Sequence, residues 1–217
     1  MIKMIIDTAT EYYYLALLDD EIIIDEAYEK GNSNHSETLM PRLEIMLKDH
    51  NLVLKDIKEV YTGIGPGSYT GLRIAVVIAK MIGSLNKIDV YEFSTLALIA
   101  SSVNLESYPL IDARRGNAYI SHFDENLNRL MNDEVLSVDE FFKDKDRSLI
   151  VTNGKPNPIK LLRSKEPHLV KDIDKLTPNY IQLVEAERKR RGLLWLFTCL
   201  IIKKTSSIPS LIKNLRK

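Results

Sequence analysis

The sequence predicts an α/β fold built from a duplicated β-β-β-α-β-α unit in two lobes. Three observations carry this. Strand patterns recur at a fixed offset of 105 residues: Ile6-Asp7 and Ile111-Asp112 each close a strand, and the turn residues Asp19 and Asp124 repeat the spacing. Self-similarity at a fixed period is an architectural signal. A glycine-rich segment, Gly63 to Gly71, sits where a β-compatible run hands over to a long apolar stretch. Finally, 217 residues with 45% hydrophobic content suffice for a sizeable core in one large or two small domains.

The first copy starts with Ile2 to Ile6, a buried strand ending at Asp7, then a polar turn over Thr8-Ala9-Thr10-Glu11. Tyr12 to Leu18 is aromatic and aliphatic and reads as a second strand. Asp19-Asp20 makes a tight hairpin turn into a third strand, Glu21 to Ala27. A polar loop over residues 29–34 leads into a helix to about His50, with Leu39, Leu43, Met46 and Leu47 on one face. Pro41 predicts a late start or a kink there. Glu59 to Thr62 continues as strand, and the helix after it covers Gly71 to Leu85.

The second copy begins near Ser107. Tyr108 to Ile111 is a strand ending at Asp112, followed by Ala113-Arg114-Arg115-Gly116 as a turn. Asn117 to Phe123 is the next strand, about Leu130 to Leu136 a weaker third. A short helix, Val138 to Phe142, and a strand, Ser148 to Thr152, complete the echo. Two ordinary meanders could also produce this likeness. Read as a duplication, it is the plan of the actin, Hsp70 and sugar-kinase superfamily, the actin-like ATPase (ASKHA, RNase H-like) fold. In that plan two strand-terminal carboxylates face each other across a nucleotide cleft. The expected lobes are residues 1–104 and 105–189, followed by an atypical tail, 190–217.

The candidate chemistry lies at the turns. Glycines permit sharp turning, Ser68 or Thr70 can cap the following helix, and free amides at a helix start can hold an anion. The segment is not a Walker loop, because no Gly-Lys-Ser/Thr follows. The alternative is a strand-to-helix connection that binds nothing. Asp7 and Asp112 are the candidate acidic pair, able to orient Mg²⁺ or water; equally, each can accept turn amides at a strand end. The second turn is bulky and basic, and only Gly154 stands where nucleotide-binding relatives have a glycine-rich adenosine turn. The four histidines, His35, His50, His122 and His168, form no close pair, so no metal site is expected. Cys199 lies in an apolar run and no serine has elbow context, which argues against a protease. The helix from Gly71 to Leu85 is apolar on nearly every face, so it is covered within the domain or by a partner.

Net charge is zero, yet unevenly spread. Nine of the 30 basic residues follow Glu187, the last acid, so the first 187 residues carry 21 basic against 30 acidic residues, a balance of −9. An acidic body is by itself a poor nucleic-acid binder. A single cysteine fits a reducing compartment. No signal peptide is expected at the start, and no apolar run approaches the ~20 residues of a membrane span. We therefore expect a cytoplasmic protein without a membrane association.

Several motifs together resemble one family, the bacterial TsaB (YeaZ-like) proteins. They are Ile6-Asp7-Thr8-Ala9-Thr10, Asn34-His35-Ser36-Glu37-Thr38-Leu39-Met40-Pro41, Gly65 to Ile74, Asp112-Ala113-Arg114-Arg115-Gly116-Asn117-Ala118-Tyr119, and Pro178-Asn179-Tyr180-Ile181 with Glu185-Ala186-Glu187. The match covers residues 1 to about 189. The resemblance implies an actin-like fold without independent catalysis. It implies a subunit of the complex that installs N6-threonylcarbamoyl on adenosine 37 of tRNAs reading ANN codons. The implied partners are a TsaD-like catalytic subunit and a TsaE-like ATPase, with tRNA reached only through the complex and a homodimer when the chain is alone. TsaD carries a His-x-x-x-His metal site at the equivalent helix. Here His35 is followed at the fourth position by Leu39, so that site is absent. His35, Leu39, Leu43, Arg73, Val76, Ile78 and Lys80 are then the expected partner surface. Asp7, Thr8, Gly65, Gly67, Ser68, Thr70 and Asp112 are the expected remnant of a nucleotide site; no cofactor is expected to bind firmly, and ATP or ADP would lie at the subunit interface. The chain departs from the family at Ala75, where a glycine is expected, and beyond about Lys189. That tail reads as a shifted reading frame or an acquired extension, dispensable, with Trp195 and Phe197 lying on the parent domain if ordered. A membrane-surface or partner-binding tail is the competing view. Rival functions are a small-molecule kinase of the same superfamily, told apart by nucleotide turnover, and a metalloprotease-like hydrolase, told apart by a bound metal.

Overall fold

Alternation decides the architecture. In β1 (Ile2–Asp7) and β2 (Tyr12–Asp19) almost every residue is buried, with Met4, Ile6, Leu15 and Leu17 on one face and Ile5, Tyr14, Ala16 and Leu18 on the other. Strands apolar on both faces must be covered on both faces. A computed structural model of the chain describes residues 1–31 and 35–181, the side chains of residues 35–37 excepted. The expectations for the tail, including Trp195 and Phe197, and for Glu185 to Glu187 lie outside the described residues.

The remaining elements are β3 (Ile22–Lys30), α1 (His35–Asp49), β4 (Ile57–Gly63), α2 (Tyr69–Asn86), β5 (Asp89–Phe93), α3 (Thr95–Ala100), β6 (Tyr108–Arg114), β7 (Asn117–Phe123), β8 (Arg129–Ser137), α4 (Val138–Phe141), β9 (Ile150–Val151), α5 (Pro158–Arg163) and β10 (His168–Leu169). They form two sheets. The first has the order β10-β5-β4-β1-β2-β3, the second β8-β7-β6-β9. In each, a three-stranded antiparallel meander is followed by a parallel strand on its first strand: β4 on β1, and β9 on β6. Helices α1 and α2 cover one face of the first sheet, packing Leu39, Leu43, Met46, Ala75 and Ala79 on Met4, Ile6 and Leu15. Helix α3 covers the other face and also meets β6 and β7, so it joins the two sheets.

Three sequence expectations shift. The third strand runs to Lys30 rather than Ala27, because its register continues until Lys30 faces Tyr12. Helix α1 starts at His35 and carries Pro41 inside it, with the proline exposed at the helix surface. The segment after residue 168, assigned to the second half, returns to the first sheet: His168 and Leu169 pair with Glu92 and Tyr91 at its edge. Among the described residues no helix is long and apolar enough to cross a membrane.

Candidate functional site

Asp7 ends β1 and is enclosed by the chain. One carboxylate oxygen accepts the Ala9 amide at 2.8 Å and the other accepts the Thr95 hydroxyl at 2.7 Å. Burial pushes its carboxyl up to about 6, with the Thr95 and Ala9 bonds pulling the other way. Gly63 presses on it; a Cβ there would stand 1.7 Å from the Asp7 Oδ2. Asp112 is exposed on β6, and its Oδ1 accepts the Arg114 amide at 2.7 Å. Both aspartates therefore hold the amide two residues on, the side-chain turn that closes many strands.

The glycine-rich turn folds onto its own chain. The Ser68 amide donates to the Ala9 carbonyl at 2.7 Å, and the Ser68 hydroxyl caps α2 by accepting the Gly71 amide at 3.3 Å. The Thr8 hydroxyl donates to the Gly71 carbonyl at 2.6 Å and accepts the Ala75 amide at 3.2 Å. A Cβ at Gly67 would lie 2.3 Å from the Ala9 carbonyl oxygen, and one at Gly71 would lie 2.0 Å from that of Thr8. Gly67 and Gly71 thus admit the backbone of residues 8–9, and the amides of Ser68, Gly71 and Ala75 have partners inside the chain. The Gly65 carbonyl accepts the Thr95 amide at 2.9 Å. Thr70 is exposed in the first turn of α2.

One cavity adjoins Asp7 and another borders Gly65 of the turn. The first, of about 40 Å³, is lined by Asp7, Glu11, Tyr12, Tyr28, Thr95 and Gly154 among others, room for a water or two. Tyr12 and Tyr28 stack there at 4.9 Å, and the Tyr28 hydroxyl accepts the Gly154 amide at 3.2 Å. The other, about 330 Å³, is bordered by Gly65, Ser94, Arg129, Asp133, Glu166 and Asn179 among others. Arg129 makes a two-pronged bond to Glu166, at 2.9 and 2.5 Å, and pairs with Asp133, which accepts the Ser94 hydroxyl at 2.6 Å. Thr95, Tyr28 and Arg129 were not legible as site residues. Ser94-Thr95 carried the one available signal, a capping serine at the end of a strand pattern. Among the described residues no group of His, Cys, Asp and Glu is arranged to hold a metal.

The expected partner surface is only partly on the surface. Leu39, Leu43, Val76 and Ile78 are buried in the chain's own core, which corrects their assignment to an interface. The inward face of each amphipathic helix satisfies the sheet before any partner arrives. What α2 exposes is a ridge at four-residue spacing: Tyr69, Arg73, Val77, Met81 and Leu85, with Val77 61% and Leu85 73% exposed. Helix α1 adds Ile45. Lys80 is drawn inward, donating to the carbonyls of Asp174 at 2.9 Å and Leu176 at 3.2 Å. Arg73 lies 4.1 Å over the Tyr69 ring and donates to the Tyr180 hydroxyl at 3.0 Å. The side chain of His35 lies outside the described residues.

Residues 28–186 match the family model described as TsaD: tRNA N6-adenosine threonylcarbamoyltransferase. The chain is 29% identical over 223 residues to the tRNA threonylcarbamoyladenosine biosynthesis protein TsaB of Bacillus subtilis, covering 87% of this chain and 97% of that protein. The Escherichia coli protein of the same name is 29% identical over 134 residues, 59% of this chain and 58% of its own. Among solved structures, YeaZ from Pseudomonas aeruginosa superimposes with a TM-score of 0.68 at 19% identity, covering 82% of this chain and 99% of that one. That likeness shows the fold. By these matches and by its motifs, the chain belongs to the TsaD-type family, in its TsaB (YeaZ-like) branch.

Proposed function

We propose that this chain acts in tRNA threonylcarbamoyladenosine biosynthesis as a non-catalytic scaffold. It docks a TsaD-like catalytic subunit and so supports N6-threonylcarbamoylation of adenosine 37 in tRNAs reading ANN codons. A TsaE-like ATPase completes the assembly in the cytoplasm, and the chain forms a homodimer when alone. The observation that carries this reading is the near full-length match to a biosynthesis protein of that name. The site's geometry supports the non-catalytic part. Asp7 is enclosed, Asp112 is engaged in its own turn, and the Ser68 and Gly71 amides of the glycine-rich turn are already bonded within the chain. Nucleotide, where it binds, lies at the interface with the partner. The exposed ridge of α2 and Ile45 of α1 form the docking face. The shared order and sense of strands in the two sheets support a duplicated unit of actin-like type; its lobes lie at about 1–104 and 105–189 in the chain, the second lending β10 to the sheet of the first.

The test is reconstitution with the cognate TsaD-like and TsaE-like proteins. Neither ATP hydrolysis nor tRNA modification is expected from the chain alone, whereas the complete mixture modifies tRNA and the mixture lacking this chain does not. Sustained turnover by the isolated chain, abolished by Asp7→Ala, overturns the scaffold reading in favour of a kinase-like enzyme.

A further inference from the structure

The hairpin between β6 and β7 places three consecutive residues in the left-handed region: Arg114 at φ 67°, Arg115 at φ 58° and Gly116 at φ 75°. Glycine adopts this freely. An L side chain there costs about 1–2 kcal/mol, and asparagine or glycine is the ordinary occupant. The turn is nevertheless held firmly. Asp112 Oδ1 accepts the Arg114 amide, and the Gly116 carbonyl accepts the Val138 amide at 3.0 Å. Strain that neighbours hold in place points to a use for the side chains concerned.

Those side chains are two exposed guanidinium groups. The other described arginines are all engaged: Arg42 with Asp25, Arg73 with Tyr69 and Tyr180, Arg129 with Asp133 and Glu166, Arg147 with Asp139, and Arg163 with Glu21. Among the described residues, Arg114 and Arg115 are the arginines whose side chains have no partner, although the first 187 residues carry a balance of −9. A guanidinium fork matches phosphate oxygens two at a time. Protein interfaces, by contrast, centre on apolar or aromatic anchors. The large exposed apolar residues nearest in sequence are Leu105 and Leu130, neither of them in this hairpin.

We propose that Arg114 and Arg115 form a phosphate-binding fork that contacts the RNA backbone of the tRNA carried by the assembled complex. This rests on the function proposed above. The contact is to phosphodiester oxygens and is indifferent to base sequence.

The experiment uses the full chain complexed with its TsaD-like partner, and reads binding of a full-length tRNA between about 50 and about 200 mM salt. R114Q/R115Q is expected to weaken binding about tenfold at low salt and to lower the log–log salt slope by about 2. R114K/R115K keeps the slope and loses part of the affinity. R115G relieves strain, so it raises the thermal midpoint while weakening tRNA binding; a purely structural turn would show the first effect without the second. The basic residues after Glu187 are common to every variant and cancel. Unchanged affinity and slope in R114Q/R115Q, with the complex intact, overturns the fork. Weakened assembly with unchanged tRNA affinity of the preformed complex also overturns it, in favour of a contact to the protein partner. A wild-type mixture that binds tRNA but never modifies it counts against the proposed function and leaves the fork standing.

Discussion

At the residue scale, Asp7 shows how far a motif can be read. Its place at a strand end was legible; its enclosure was not, because Gly63, Ala9 and Thr95 reach it from three separate segments. Enclosure has a consequence for stability. A carboxyl raised from 3.8 to about 6 in the fold binds its proton more tightly there than in the unfolded chain. Stability from this group is therefore full below pH 4 and lost as pH rises through about 6, by roughly 3 kcal/mol. Asp7→Asn keeps an oxygen for the Ala9 amide and carries no charge. The gap in unfolding free energy between wild type and Asp7→Asn should shift toward the wild type as pH falls from 7 to 4. Denaturant titrations at both pH values measure it, and a constant gap would refute the assignment.

At the element scale, α2 was legible as a helix with a capped start, and its near-uniform apolarity signalled burial on most sides. Which residues point outward was not legible, since Val76, Val77 and Ile78 are chemically alike. The sheet decides: Val76 and Ile78 face the core, and Val77 faces solvent. Val76→Arg should unfold the chain or cost at least 3 kcal/mol, because it buries an unpaired charge. Val77→Arg should leave stability within about 0.5 kcal/mol and abolish self-association and docking of the TsaD-like partner. Thermal unfolding and sedimentation of the two variants separate these outcomes. A Val77→Arg chain that still dimerises and docks moves the interface off this ridge. Pro41 follows the same logic at α1, where packing of Leu39, Leu43 and Met46 on the sheet outweighs one missing amide.

At the scale of the whole molecule, the return of β10 to the first sheet and the Arg129 cluster tie distant segments together. Arg129 on β8 grips Glu166, which immediately precedes the return. Arg129→Met should cost about 3 kcal/mol, since it leaves two largely buried carboxylates facing each other without their cation. Adding Glu166→Leu should recover part of that loss. Thermal unfolding of the single and double variants tests this, and a single variant within 0.5 kcal/mol of wild type would show the cluster to be ornamental.

The sequence by itself determined the α/β class, the strand-terminal aspartates, the capped start of α2 and the family resemblance. These depend on local pattern: period-two and period-3.6 apolarity, turn residues, and motifs contiguous in the chain. Only the tertiary structure decided that the glycine-rich turn is filled by residues 8–9, which face of α2 is free, and that Tyr28 meets Gly154. It likewise decided which arginines remain without a partner. Each of these depends on contacts between residues far apart in sequence, whose pairing follows from sheet order and packing rather than from any single segment.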